Sequence, residues 1–251
     1  MIMKKIITLM GLAAFAFVGQ AVAAEKGFKS IFDGKTLEGW NGDPKFWSVQ
    51  DGAITGKTTK ENPTKGNTFI LWDGGKTGDF DLRLDYKIVG GNSGIQYRSF
   101  KLKNGADQWR VGGYQADIDS GPTYSGICYG EAFRGVLSLR GKKTILTVGD
   151  DGKLKKSAEE FSKDADVAKA IKNEQWNSYR IVARGFNLTQ YINGVKTTQV
   201  IDRDKKTRRA SGMLAFQLHA GPPMTVQFKN IRFKELPKRE RKVGGSKKGA
   251  K

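Results

Sequence analysis

Polar side chains recur at every second position in one short stretch of the chain. Gln115, Asp117 and Asp119 alternate with Ala116 and Ile118. In a β-strand this spacing points the three polar side chains to one face, about 7 Å apart. An amide and two carboxyls in a row suit a hydroxyl-rich ligand or a hard cation. We therefore predict that Asp117 is catalytic and that Gln115 and Asp119 bind substrate. The alternative is an ordinary solvated strand face.

A second stretch carries an acid and a cation between glycines. It reads CYGEAFRG over residues 128–135 and contains Glu131 and Arg134. A glycine-bracketed backbone that aims both charges at one place is typical of a loop in a functional site. We predict a catalytic Glu131 and a substrate-binding Arg134. The alternative is a surface ion pair, which contributes little to stability.

Arg98 and the single histidine complete the candidate catalytic groups. On a strand Arg98 shares a face with Gln96, and its fork of donors can hold an oxyanion. His219 shares a face with Gln217 and precedes the sequence AGPP, which must form a loop. A histidine where a strand meets a loop is well placed for a groove, and imidazoles titrate near neutral pH. We predict that Arg98 and His219 are catalytic and that Gln217 binds substrate. A structural histidine hydrogen-bonded near the turn is the alternative.

An aromatic ring can cover the apolar face of a sugar, and the chain contains five tryptophans. Trp109 stands beside Gln108 and Arg110, just before the polar strand at 115–119. This position makes Trp109 the predicted stacking platform.

The residue counts limit the chemistry open to the protein. With one cysteine, Cys128, and one histidine, neither a cysteine-based zinc site nor a polyhistidine site can form. Asp117, Asp119, Glu131 and His219 can supply ligands for a divalent metal ion, but their spacing is not a recognised metal signature. The sequence leaves metal dependence open.

The elements that must position these residues are mostly strands. Apolar and polar residues alternate through residues 80–88, 179–184, 188–192 and 214–219. Asn193-Gly194 predicts a tight hairpin, and a change of phase near residues 229–230 predicts a β-bulge. One short helix is predicted from Asp164, acting as its cap, to about Ile171. Many short strands without a βαβ rhythm predict one all-β domain of two packed antiparallel sheets.

The start of the chain predicts export. Residues 1–24 combine a basic start, an apolar run too short to span a bilayer and an Ala-x-Ala site, which is the pattern of a cleavable signal peptide. We expect a periplasmic or extracellular protein whose single domain covers residues 25–236.

The end of the chain is strongly basic. The net charge is +19, and residues 237–251 hold seven Lys and Arg against one Glu without an apolar period. This composition predicts a disordered tail that either contacts anionic polymers or is only solvated. No aromatic residue interleaves the tail lysines, so nucleic acid is not an expected partner.

Six blocks of the sequence resemble, in order, the 3-keto-disaccharide hydrolase domain family. They read GFKSIFDGKTLEGW (27–40), WSVQDGAITG (47–56), NSGIQYR (92–98), GYQADID (113–119), WNSYR (176–180) and FKNIRF (228–233). The resemblance covers about residues 27–236. It implies a concanavalin A-like jelly-roll sandwich, in agreement with the strand pattern, and a sugar-binding groove on one sheet.

The resemblance also bears on mechanism. Retaining glycosidases of the concanavalin A-like type carry Glu-x-Asp-x-x-Glu on one strand. The corresponding residues here are Gln115, Asp117 and Ser120, so both glutamates are missing. The pair of carboxyls about 5–5.5 Å apart that retention requires is therefore not supplied. Asp117 and Asp119, about 7 Å apart, keep an inverting mechanism open.

A 3-keto sugar allows another route, because its ketone acidifies the hydrogen on C2. Elimination of the group on C1, followed by addition of water, needs a base, a stabiliser of the enolate and an acid. His219 or Glu131 is the predicted base, Arg98 or Arg134 the stabiliser, and Asp117 the acid or a metal ligand. A divalent ion can also stabilise the enolate. The competing class is a non-catalytic carbohydrate-binding module.

Overall fold

The computed structural model describes residues 25–103 and 107–237, and this part of the chain is almost entirely β-structure. The predicted signal peptide and nearly all of the predicted basic tail lie outside the described residues. The helix is α1 (Asp164–Ala168), and the strands are β1 (Lys29–Ser30), β2 (Trp40–Asn41), β3 (Trp47–Gln50), β4 (Ala53–Lys57), β5 (Thr68–Trp72), β6 (Phe80–Val89), β7 (Asn92–Lys101), β8 (Val111–Asp119), β9 (Cys128–Glu131), β10 (Gly135–Ser138), β11 (Lys142–Val148), β12 (Leu154–Glu160), β13 (Asn177–Arg184), β14 (Asn187–Ile192), β15 (Val195–Asp202), β16 (Met213–Leu218) and β17 (Thr225–Glu235).

The strands form two sheets, which confirms the predicted sandwich. Ten strands make one sheet in the order β12-β11-β15-β14-β13-β6-β17-β4-β3, with β1 paired to β17. Seven strands make the other in the order β10-β9-β8-β7-β16-β5-β2. The pairing is antiparallel except between β11 and β15, which run parallel.

The apolar core lies between the two sheets. Phe216 of the seven-stranded sheet stacks on Phe228 of the ten-stranded sheet with ring centroids 4.1 Å apart. Trp40 stacks on the same Phe216 at 4.9 Å. The Phe216–Phe228 contact joins the inner faces of the two sheets, whereas the Trp40–Phe216 contact lies within the seven-stranded sheet. The alternate residues of each strand must therefore point away from the core.

Strand β8 has the predicted division between its two faces. Tyr114, Ala116 and Ile118 are fully buried in the core. Because side chains alternate along a strand, Gln115 and Asp117 lie on the opposite, outer face of the seven-stranded sheet. This outer face is where the candidate site is found.

The predicted hairpin turn and the predicted β-bulge are both present. Asn193 and Gly194 have φ of 49° and 80°, as a type I′ hairpin between β14 and β15 requires. The predicted bulge in β17 is confirmed by a register shift between Lys229 and Arg232 and by φ of 53° at Asn230.

The helix differs from its prediction. It begins at Asp164 but ends at Ala168, and the residue at its N-cap, Lys163, makes no side-chain capping bond. The Asp164 carboxylate instead accepts hydrogen bonds from Arg140 at 2.8 and 3.0 Å. An ion pair with a neighbouring loop has therefore replaced the predicted cap.

Candidate active site

A ladder of amide and carboxyl groups crosses the outer face of the seven-stranded sheet. Gln96 Nε2 donates to Gln115 Oε1 at 2.5 Å, and Gln115 Nε2 donates to Asp117 Oδ1 at 2.9 Å and to Gln217 Oε1 at 3.3 Å. The Gln115 side chain lies over Gly94, where a Cβ atom would come within 2.4 Å of Gln115 Cδ. Glycine at this position thus leaves room for the ladder.

A cleft of about 570 Å³ opens beside this ladder. Its volume falls within the range of small-molecule sites. Loops and the ends of strands from distant parts of the chain form its wall, whose members are Asn67, Asn92, Arg110, Gln115, Asp117, Asp119, Tyr124, Ile127, Tyr129, Glu131, Ala132, Val136 and His219. Asp117, Asp119, Glu131 and His219, which the sequence placed in one groove, line this one cleft.

Asp117 is the most perturbed acid of the cleft. Its side chain is almost completely buried, and this burial raises its pKa from 3.8 to about 7. The negative charges of Asp119 and Glu131 act in the same direction, while hydrogen bonds from Gln115 and Asn92 oppose the rise. The Asp117 carboxyl therefore exchanges its proton near neutral pH, as a general acid or base must.

Glu131 and His219 are linked through Asn67. Asn67 Nδ2 donates to Glu131 Oε1 at 3.0 Å, and Asn67 Oδ1 accepts the Ala220 backbone N–H at 3.0 Å. His219 Nδ1 lies 2.6 Å from the Ala220 carbonyl oxygen. A carbonyl oxygen can only accept, so Nδ1 carries the proton and Nε2 of the neutral ring is free to accept one.

A smaller compartment of about 370 Å³ adjoins the cleft. Asn92, Asp119 and His219 line both spaces. The wall of the smaller compartment is otherwise mostly small residues and backbone, including Gly91, Gly121, Gly221 and Pro222. A ligand that fills both compartments therefore crosses their junction beside His219 and Asp119.

Arg110 brings a cationic side chain to the cleft wall, although it was not among the predicted site residues. It lines the wall directly before β8, half-buried, and its Nε has no hydrogen-bond partner within the described residues. The signal available in the sequence was its place at the start of the polar strand. Asn67, Asn92 and the two tyrosines of the wall were also missed, although Tyr129 stands two residues from Glu131.

The prediction that Arg98 reaches the groove is wrong. Arg98 has φ of 49° at a break in the β7–β8 register, so its side chain no longer shares a face with Gln96. It is fully buried, pairs with Asp79 at 2.9 Å and donates to the Gly78 and Gly185 carbonyl oxygens at 3.0 and 2.6 Å. Arg98 therefore holds connecting loops of the sandwich together.

Arg134 is also removed from the cleft wall. Its guanidinium pairs with the buried Asp202 and lies 3.4 Å from Asp204, with a further hydrogen bond to Tyr114 Oη at 3.3 Å. These contacts tie the β9–β10 turn to the end of β15 in the other sheet. The structure thus gives Arg134 a bridging position instead of the predicted place beside substrate.

Trp109 and Gln217 lie near the cleft without lining it. Trp109 packs on a second apolar cluster of the outer face that contains Phe69 and Leu71, and its Nε1 donates to Asn41 Oδ1 at 2.7 Å. Trp109 therefore covers the neighbouring half of the sheet. Gln217 is fully buried beneath the ladder, so its predicted contact with substrate is corrected to support of Gln115.

The acids of the cleft are not arranged as a metal centre. Within residues 25–103 and 107–237, no three His, Cys, Asp or Glu side chains are grouped closely enough to hold a metal ion. The predicted ligands Asp117, Asp119, Glu131 and His219 line the cleft without forming such a group.

The fold and the cleft define a jelly-roll β-sandwich protein with an acidic site on the outer face of one sheet. No helix in the described part of the chain is both long and apolar enough to cross a membrane. The chain belongs to the family described as the 3-keto-alpha-glucoside-1,2-lyase-like domain, whose model matches residues 27–234.

Individual relatives support this assignment. A 3-keto-disaccharide hydrolase from Bacteroides thetaiotaomicron is 39% identical over 83 residues, which are 28% of this chain and 27% of that protein. The match thus spans about a quarter of the relative's length. Among solved structures, a predicted glycosyl hydrolase from Parabacteroides distasonis has a TM-score of 0.52 at 19% identity, covering 83% of this chain and 99% of its own. The Crh5 transglycosylase has a TM-score of 0.50 at 13% identity, covering 84% and 85%. At these identities the two structures establish a shared fold.

Proposed function

We propose that the protein cleaves the glycosidic bond of 3-keto-glycosides by elimination across C1 and C2, followed by addition of water. The observation that carries the proposal is a single cleft lined by a buried carboxyl, a second acid, a histidine and an arginine. Membership of a family described by a 3-keto-glucoside 1,2-lyase supports the same substrate class.

In the first step a base removes the acidic hydrogen on C2. Glu131 is the proposed base, because it lines the larger compartment and not the smaller one, and because Asn67 fixes its carboxylate. The electron pair of the C2–H bond passes toward the C3 ketone, whose oxygen gains negative charge. The Arg110 guanidinium is the proposed stabiliser of that charge.

In the second step the C1–O bond breaks and a C1=C2 double bond forms as the ketone is restored. The leaving oxygen needs a proton, and Asp117 is the proposed donor. Its burial keeps it protonated up to about pH 7, and its partner Asn92 lines both compartments. The leaving group then occupies the smaller compartment.

Water completes the reaction after the leaving group departs. It adds to C1 at the junction of the compartments, where His219 Nε2 is the proposed acceptor of its proton. The Glu131 carboxylic proton exchanges with solvent once water has entered, Glu131 then protonates C2, and Asp117 recovers a proton from His219 directly or through solvent. The products are a 3-keto sugar and the released alcohol, so the atoms and charges balance.

The test compares a 3-keto-disaccharide with the same disaccharide before oxidation. We expect turnover of the keto sugar only, because C2–H is not acidic without the ketone. In D₂O the keto-sugar product should carry deuterium at C2 beyond the exchange seen without protein. Equal rates on both sugars, or a product without enzyme-dependent deuterium, would exclude the elimination route and favour inversion.

Variants of the cleft test the assigned roles. Asp117→Asn, Glu131→Gln and His219→Ala are each expected to lower turnover, an acid or base typically contributing about 10²–10⁴-fold. Arg180→Lys, on the outer face of the ten-stranded sheet, is the matched control. Tight binding of sugar without turnover would favour the carbohydrate-binding module.

We also propose that the protein is exported after removal of residues 1–24, and that the basic tail contacts anionic polymers. The sequence patterns of the two termini support these proposals. The mature chain should begin near Ala24 or Glu25. A secreted protein whose measured mass includes residues 1–24 would contradict the first proposal. Equal retention on an anionic matrix after deletion of residues 237–251 would contradict the second.

A further inference from the structure

The cleft has an aromatic wall that the mechanism above does not use. Tyr124 lines the cleft and keeps 50% of its surface exposed. It belongs to the segment between β8 and β9, residues 120–127, which we call the β8–β9 loop. Single exposed aromatic rings are common on protein surfaces, but this ring stands on a loop that is held from two sides.

Hydrogen bonds from inside the cleft fix the loop on one side. Asp119 Oδ2 accepts the Tyr124 backbone N–H at 3.2 Å. Ser125 Oγ accepts the Asp119 backbone N–H at 2.8 Å and donates to the Asp119 carbonyl oxygen at 2.9 Å. The Ile127 backbone N–H donates to the Tyr124 carbonyl oxygen at 3.1 Å. The backbone of Tyr124 is therefore closed into a compact turn against β8.

Arg140 holds the same loop from outside the cleft. Its side chain is only 5% exposed. Nη2 donates to the Pro122 carbonyl oxygen at 2.8 Å, and Nη1 donates to the Ser125 carbonyl oxygen at 3.2 Å. Asp164 orients the guanidinium through bonds to Nε at 2.8 Å and Nη2 at 3.0 Å. The fork of Arg140 thus brackets Tyr124 by bonding to residues on both sides of it.

We propose that Tyr124 is a stacking wall for a pyranose ring in the larger compartment, and that Arg140 is a positioning residue that holds this wall in place. The inference rests on the proposed sugar-cleaving function. A pyranose presents an apolar C–H face that an aromatic ring can cover, and tyrosine offers its ring with little loss of side-chain entropy. A loop fixed before the ligand arrives avoids the cost of ordering it on binding.

Lysine cannot replace Arg140 in this role. Its ammonium group has the same charge but no planar fork, so it cannot bond at once to two carbonyl oxygens and a bidentate carboxylate. Arg140→Lys therefore loosens the loop without replacing any residue that lines the cleft. The effect on sugar binding should pass mainly through Tyr124, the exposed aromatic ring of this loop.

The experiment is a double-mutant cycle on sugar affinity. The probes are a 3-keto-disaccharide and its unoxidised counterpart, and the readouts are Kd by calorimetry and KM against kcat. Tyr124→Ala should weaken binding about tenfold, as loss of one aromatic contact implies, mainly through KM. Tyr124→Phe should recover most of that affinity, because the ring remains.

The cycle then separates positioning from a general loss of structure. Arg140→Lys should weaken binding several-fold in the wild-type background and have a much smaller effect in the Tyr124→Ala background. Arg180→Lys, which also loosens an arginine–carboxylate contact, is the control and should leave affinity unchanged. Equal effects of Arg140→Lys in both backgrounds would overturn the positioning role, and unchanged affinity in Tyr124→Ala would overturn the wall.

Failure of this inference can be told apart from failure of the proposed function. Binding that follows the cycle without any turnover would support the wall and remove the catalytic proposal. Turnover that is independent of Tyr124 would keep the catalytic proposal and remove the wall. Absence of both binding and turnover with either sugar would overturn both.

Discussion

Replacing Asp117 by Asn is expected to change how the stability of the protein depends on pH. Asp117 is almost completely buried, and this burial raises its pKa from 3.8 to about 7. A difference of this size between the unfolded and folded chain corresponds to roughly 4 kcal/mol of unfolding free energy. Asn has nearly the same shape but no proton to exchange, so it isolates the ionisation of this one group.

The sign follows from which state binds the proton. Below about pH 4 the carboxyl is protonated in both states, and its ionisation has no effect on stability. Between pH 3.8 and about 7 the unfolded chain releases the proton while the folded chain keeps it, so this group makes the folded state progressively less favourable. Above about pH 7 the folded state ionises as well, and the loss levels off.

The assay is urea unfolding of wild type and Asp117→Asn at a series of pH values. The unfolding free energy of the variant minus that of wild type should rise by up to roughly 4 kcal/mol between about pH 4 and about pH 8. Asp73→Asn, the same substitution at an exposed aspartate, is the control. A difference for Asp117→Asn that does not change with pH, or that equals the control's, would refute the claim that burial holds the proton on this carboxyl.

Three further predictions follow from the arginines and from the donor set of the cleft. Arg110→Met should lower turnover about 10²–10³-fold while the unfolding midpoint changes little, and the turnover of Arg110→Lys should lie between those of wild type and Arg110→Met. Full activity of Arg110→Met would show that Arg110 is not the enolate stabiliser. Arg98→Met should destabilise the fold by about 3 kcal/mol in urea unfolding, because Asp79 loses its ion-pair partner. The KM should stay near that of wild type. A raised KM at unchanged stability would place Arg98 in the site. A chelator should leave turnover unchanged, because Arg110 already supplies a positive charge in the cleft. Turnover that is lost on addition of a chelator and restored by a divalent ion would contradict this expectation.

The sequence by itself determined the strands and the faces of the polar residues on β8. Period-two alternation is a local property, since adjacent side chains of a strand must point to opposite faces. It therefore placed Gln115 and Asp117 on the outer face, opposite the buried Tyr114 and Ala116. The Asn193-Gly194 hairpin was equally predictable, because two successive positive φ values strongly favour those residue types.

The tertiary structure alone decided which charged groups meet in the cleft. A bulge with positive φ at Arg98 broke the alternation on which its predicted face depended, and a buried partner in the other sheet drew Arg134 away. Arg110 and Asn67 come to the cleft from segments far from Glu131 in sequence. The raised pKa of Asp117 likewise arises from its burial in the folded chain and from the charges of Asp119 and Glu131. Such contacts depend on how whole sheets and their loops pack, and no spacing within one strand encodes them.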